Sequence, residues 1–158
     1  MTCSDIMDKS PLRLAPEITV EDALAQMKKA GVRAAAVTDA AGTVMGLFSL
    51  RNLTETILPV SMVSEGGFSG VMIEAAPGLN LRLQGVMLQS VAAVMDRRFF
   101  HVYPDTAETQ AARLIAQSGE NVIVMDENTG KLLGMISDEN LIEGMLRSSP
   151  LYTKAAAQ

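Results

Sequence analysis

The chain has 158 residues, 48% of them apolar, with 13 Lys and Arg against 18 Asp and Glu for a net charge of -5. That length suits one ordinary domain or, better here, two half-size units sharing a core. The acidic balance, with no Trp and 4% aromatic residues, argues against a nucleic-acid footprint of clustered Lys and Arg with stacking platforms. No apolar run approaches the roughly 20 residues of a membrane span, and Met1-Thr2-Cys3-Ser4-Asp5 lacks the order of a signal peptide, so a cytoplasmic chain with no membrane span is expected. Its one cysteine, Cys3, cannot form an internal disulfide, which agrees with a reducing compartment.

In chain order, Ser4 to Asp8 reads as a short helix or turn, and Leu12 to Leu14 as an extended piece stopped by Pro16. Thr19 and Asp22 stand at capping-box spacing before Val20, Ala23, Leu24 and Met27, which recur at helical intervals; the pattern predicts a helix from Val20 to about Ala30, ended by Gly31. Two apolar runs, Ala34 to Val37 and Val44 to Phe48, flank the turn Asp39-Ala40-Ala41-Gly42 and predict an antiparallel hairpin. A second helix is expected from Leu50 to Leu58, ended by Pro59.

Residues 59–89 are a separate insert, in which the alternation of Leu79-Asn80-Leu81-Arg82-Leu83 predicts a strand, hairpinned with Val71 to Ile73. The glycines of this insert predict low protection there, with partial order. The earlier sequence of elements then returns. A short helix is expected at Val91 to Asp96, an extended piece at Phe100 to Tyr103, and a helix from Ala107 to Ser118 with an Asp105/Glu108 capping box. Strand Val122 to Met125, turn Glu127 to Gly130, strand Leu132 to Ile136 and helix Glu139 to Leu146 follow, and then a tail.

The return has one register. Gly42-x-x-x-Gly46-x-x-Ser49-x-x-Asn52 matches Gly130-x-x-x-Gly134-x-x-Ser137-x-x-Asn140, each position 88 residues on. The same offset pairs Met7 with Met95, Pro16 with Pro104, Ala23 with Ala111 and Gly31 with Gly119, so the chain contains two copies of one β-α-β-β-α unit. Helices on one face of so small a sheet leave the other face apolar, and the two copies are expected to pack sheet to sheet. The expected division is 1–58 and 90–148 for the copies, 59–89 for the insert and 149–158 for the tail.

This duplicated α/β (α+β) unit, with Gly-x-x-Ser-x-x-Asn closing each copy, resembles the cystathionine-β-synthase (CBS) domain, and the two copies resemble a Bateman module. The resemblance implies clefts for adenosine-containing ligands such as AMP, ADP, ATP or S-adenosylmethionine, with no cofactor required. It also implies a regulatory role, a homodimer and a protein partner that the sequence does not identify. In that family the closing turn usually carries Asp, whose carboxylate accepts from ribose hydroxyls; here Asn52 and Asn140 occupy both positions. A neutral carbonyl is expected to weaken ribose contacts by about 1 kcal/mol or more per lost charge-assisted bond.

The family's crosswise arrangement implies that Ser49, Arg51 and Asn52 face Arg98, Phe100 and Asn121, while Ser137 and Asn140 face Leu12 and Arg33. Arg51 and Arg98 favour the first set for a phosphate. Each of these residues also has a plainer reading: Ser49 and Ser137 are good helix N-caps, and the arginines are ordinary surface charges. His101 has no second His or Cys with which to ligate a metal, and no nucleophile, base and orienter can be assembled, so an enzyme is not expected. The alternative function is an interaction scaffold whose nucleotide site was lost with the two Asp residues.

Overall fold

The computed structural model describes residues 1–58 and 78–150. The expected strand at Val71 to Ile73, most of the insert whose low protection is predicted, and the tail after Pro150 lie outside them. The elements are α1 (Cys3–Ile6), β1 (Arg13–Leu14), α2 (Val20–Ala30), β2 (Ala34–Thr38), β3 (Val44–Ser49), α3 (Leu50–Ile57), α4 (Leu79–Met87), α5 (Val91–Val94), β4 (His101–Val102), α6 (Glu108–Ser118), β5 (Val122–Met125), β6 (Leu132–Ile136) and α7 (Asp138–Ser148).

Local chemistry accounts for most of these bounds. Thr19 caps α2 by accepting from the Asp22 amide at 3.1 Å, and Gly31 ends it at φ +69°, a left-handed conformation that glycine adopts without a Cβ penalty. Strands form two three-stranded sheets, β1-β2-β3 and β4-β5-β6. β1 runs parallel to β2 and β4 parallel to β5, each across a helix, while β5 and β6 are antiparallel with a register shift at Val124/Met125. The second turn is one residue longer at its start: Gly130 N–H donates to Asp126 O, whereas Gly42 N–H donates to Asp39 O. Asp126, not Glu127, accepts from the Asn128 and Thr129 amides at 2.9 Å each, the role Asp39 plays towards Ala41 and Thr43. The backbone N–H groups of Thr129 and Asn128 hold the Asp126 carboxyl below its usual range.

Two expectations are corrected. Leu79 to Leu83 is the start of helix α4, not a strand: Leu83, Val86 and Met87 recur at helical spacing and pack on a core, which outweighs the alternation of Leu79 and Leu81, both exposed. The Asp105/Glu108 box does not form. The N-cap of α6 is Ala107, the counterpart of Thr19, and it has no hydroxyl with which to cap; Thr106 instead accepts from the Tyr103 amide at 3.0 Å.

The chain divides into two compact bodies that do not follow the repeats. The first holds Met1–Pro11, Thr38–Val44 and the described part of Arg98–Gln158; the second holds Leu12–Val37 and the described part of Met45–Arg97. Each repeat therefore lends its leading helix to the other, by one set of bonds used twice. In the first body Cys3 N–H donates to Thr106 O at 2.8 Å, Ser4 N–H to Pro104 O at 2.9 Å, and Asp8 pairs with Met135. In the second body Val91 N–H donates to Ile18 O at 2.8 Å, Ala92 N–H to Pro16 O at 3.1 Å, and Asp96 pairs with Leu47. The six residues of one set stand 88 positions from those of the other.

Each body has its own core. In the second it is built on Leu14, Val20, Met27, Val37, Phe48, Leu53, Val91 and Met95. In the first it is built on Cys3, Ile6, Val102, Ala111, Val122, Val124, Ile136 and Leu141. Met27, Met95 and Met135 are buried, and Met7 and Met125 half-buried.

Cys3 has no solvent exposure, and burial, followed by the nearby Glu108 carboxylate, pushes its thiol up to about 11. The reactive thiolate is therefore scarce at pH 8. Alkylation of the native protein by iodoacetamide at pH 8 is expected to be at least tenfold slower than in 6 M urea, as read by mass spectrometry. Because the raised value favours the protonated folded form, this contribution to stability is complete below the unfolded thiol's value and is lost as pH rises towards 11.

Candidate ligand site at the closing turns

Each second hairpin strand ends on a serine that opens a helix. Ser49 is extended, at φ -138° and ψ 162°, and buried; its Oγ accepts from the Asn52 amide at 2.9 Å, satisfying one of the open N–H groups of α3. The neighbouring Leu50 N–H donates to Arg33 O at 3.0 Å, which places the Arg33 backbone beside this turn while the residue itself is exposed. Arg51 makes an i,i+4 ion pair with Glu55, Nε to Oε1 at 3.5 Å, with both side chains more than half exposed. Such a pair contributes a few tenths of a kcal/mol and leaves the guanidinium easy to redirect.

Asn52 Oδ1 is buried and accepts no hydrogen bond. A desolvated acceptor left unmet costs about 1–3 kcal/mol, so its presence calls for a reason.

The second turn uses the same residues differently. Ser137 Oγ accepts from the Asn140 amide at 3.1 Å, and Asn140 Oδ1 accepts from both the N–H and the hydroxyl of Ser137. The other end of that side chain, Nδ2, donates to Ile6 O at 2.7 Å. The oxygen that stands unmet at Asn52 is thus doubly engaged at Asn140.

The remaining residues expected from the sequence fall as follows. Leu12, Arg33, Ser49, Arg51 and Asn52 belong to the second body, and Arg98, Phe100, Asn121, Ser137 and Asn140 to the first. Leu12 packs half-buried against the second core. Arg98 and Phe100 are exposed just before β4, and Phe100 O accepts from Ile123 N–H. Asn121 directs Nδ2 to Met135 Sδ at 3.4 Å. His101 is exposed and lies edge-on between Phe99 and Tyr103, with ring centroids 6.2 and 5.6 Å away.

Sequence reasoning missed the Ile6 carbonyl as the partner of Asn140, and with it Gly144. A Cβ at Gly144 would lie 2.6 Å from Ile6 Cγ2, so α1 sits against bare helix backbone. The available signal was a glycine inside a helix. Among the described residues no group of three or more His, Cys, Asp or Glu is placed to hold a metal ion, and no helix is long and apolar enough to cross a membrane.

A twice-used β-α-β-β-α unit with exchanged leading helices and a serine-opened helix closing each copy defines a tandem-repeat module. The sequence profile of the CBS domain matches residues 3–59 and again 91–147, and the chain belongs to that family. Among solved structures it resembles CBSX2, a CBS-pair protein of Arabidopsis thaliana, at 21% identity over 92% of this chain and 94% of that one, with a TM-score of 0.67. The complex of CBSX2 with AMP aligns at 22% identity over 92% and 96% of the two chains, with a TM-score of 0.68. The CBS domain pair of the protein MJ0100, solved with 5′-methylthioadenosine and S-adenosyl-L-methionine, aligns at 14% identity over 94% and 98%, with a TM-score of 0.66. Among curated protein sequences none matches this chain.

Proposed function

We propose that this CBS pair is a regulatory module, not an enzyme, that binds an adenine nucleotide or another adenosyl ligand and reports its presence to a partner protein. The observation that carries the reading is the unmet, buried Asn52 Oδ1 beside the Ser49 cap: its desolvation cost is already met, and a ribose hydroxyl is the kind of donor it lacks. The relatives crystallised with AMP, and with 5′-methylthioadenosine and S-adenosyl-L-methionine, support the adenosyl class. Arg51 is the proposed phosphate partner at this turn, exchanging Glu55 for the ligand, and Arg98 is proposed as a second cation from its sequence position. Phe100 and Asn121 stay proposed as contacts of the Ser49 set, and Leu12 and Arg33 as contacts of the Ser137 set, as the family resemblance implies. Ser137 and Asn140 enter only as the weaker site, because the Asn140 acceptor is already taken.

Because Asn52 offers the sugar neutral bonds while Arg meets phosphate with charge, AMP is expected to bind at least tenfold tighter than adenosine, and Arg51→Ala to remove most of that difference. Isothermal titration of wild type, Arg51→Ala and Arg98→Ala with both ligands tests this. Equal affinities unaffected by either substitution would sink the phosphate-led reading.

The second reading, a ligand-free scaffold, is favoured by one fact: Asn52 and Asn140 stand in both closing turns where the family usually has Asp. A ligand at 100 times its dissociation constant adds about 2.7 kcal/mol. A thermal-shift panel of AMP, ADP, ATP and S-adenosylmethionine with no upward shift would select the scaffold. Ile142, Met145 and Leu146 form an exposed apolar row on α7, which supports the proposed homodimer; a monomer mass by light scattering at micromolar concentration would remove that part.

A further inference from the structure

We propose that Asn140 is a positioning residue that latches the N-terminal helix α1 onto α7, and that this is why an amide stands at position 140. The inference rests on chain geometry and not on the ligand reading.

α1 is a single turn of four residues. A helix that short has no stability of its own, and its last carbonyls have no partner within it. Ile6 O is one of those carbonyls, and Asn140 Nδ2 satisfies it at 2.7 Å. One turn further along α7, Gly144 presents no side chain where Ile6 Cγ2 rests. A donor for the carbonyl and a gap for the side chain thus lie on one face of α7, four residues apart, against the same residue of α1. The donor is held in place because Oδ1 of the same amide is fixed by the N–H and hydroxyl of Ser137.

The arrangement is one-sided. The equivalent pair on α3 is Asn52 and Thr56: Oδ1 of Asn52 is unmet, and Thr56 spends its hydroxyl on Asn52 O at 2.8 Å. An ionised Asp at 140 accepts but cannot donate, so it would face the Ile6 carbonyl oxygen as a repelling neighbour. Protonated, it regains one O–H donor.

Cys3, fully buried in α1, reports release of the helix. In Asn140→Asp at pH 8, its alkylation rate is expected to rise at least tenfold over wild type, and in Asn140→Ala by about fivefold, while Thr56→Ala matches wild type. In both latch variants the rate should stay flat across sub-denaturing urea, the mark of local rather than global opening. Protection of the Asp8 amide in Asn140→Asp, corrected for intrinsic exchange, should return as pH falls through the introduced carboxyl's pKa, and Asn140→Ala should show no such profile. Unchanged Cys3 labelling in both variants would overturn the latch, as would labelling that climbs with urea in step with global unfolding. Should Asn140→Asp fail to fold, the alanine variant decides by the same two criteria.

Discussion

Replacing Gly134 by alanine is expected to lower stability by about 3 kcal/mol, the upper part of the usual overpacking range. A Cβ there would lie 2.6 Å from Met7 Sδ and 2.7 Å from Asp8 O. Met7 is flexible and can move. The Asp8 carbonyl cannot, because it accepts from Met135 N–H at 3.1 Å in the bridge that docks the N-terminal segment on β6. Gly46 repeats the situation in the second body, with 2.7 Å to Met95 Sδ and 2.9 Å to Asp96 O. Thermal unfolding should show each alanine variant melting roughly 6–12 °C below wild type. A loss under 0.5 kcal/mol for both would mean that the exchanged segments are not held against these strands as described.

The largest loss is expected from Phe48→Ala, about 4 kcal/mol. Phe48 has no solvent exposure, and it packs in a core with Leu14, Val37, Val91 and Met95. Its removal leaves a cavity bounded by β1, β2 and α5, and sheet backbone collapses poorly around such a void. Ile136, at the same position in the other repeat and equally buried, is smaller, so Ile136→Ala should cost about 3 kcal/mol. Urea titration with unchanged m-values tests both. Near-equal stability of Phe48→Ala and wild type would contradict the placement of β3 in that core.

Where neighbouring residues decide an element, its signal was legible in the chain. α2 starts at a hydroxyl cap and ends at a left-handed glycine, and β5 and β6 match the apolar runs residue for residue. α4 was misread because Leu79, Leu81 and Leu83 fit a strand as well as a helix. The tie is broken by packing of Leu83, Val86 and Met87, and by the Arg82 guanidinium, which donates to Ile57 O at the end of α3. Both are contacts with residues remote in sequence, which no local period can report.

The closing turns show the same division within one motif. That Ser49 and Ser137 stand at helix starts follows from the apolar run each one ends and from serine's fitness as an N-cap, and the duplication, the family and the two turns of the candidate site are all properties of the sequence by itself. Which partner each asparagine meets was decided only in three dimensions. Nothing near position 140 in the chain announces that its amide will find Ile6 O, 134 residues away, or that the equivalent oxygen at Asn52 will be buried without a donor. The two copies read alike because local hydrogen bonding and apolar period are short-range and repeat with the sequence. They differ in the fold because the Asn140 amide meets Ile6 O and Ser137 while Asn52 Oδ1 meets no donor, and a side-chain amide takes its role from what is within about 3 Å of it.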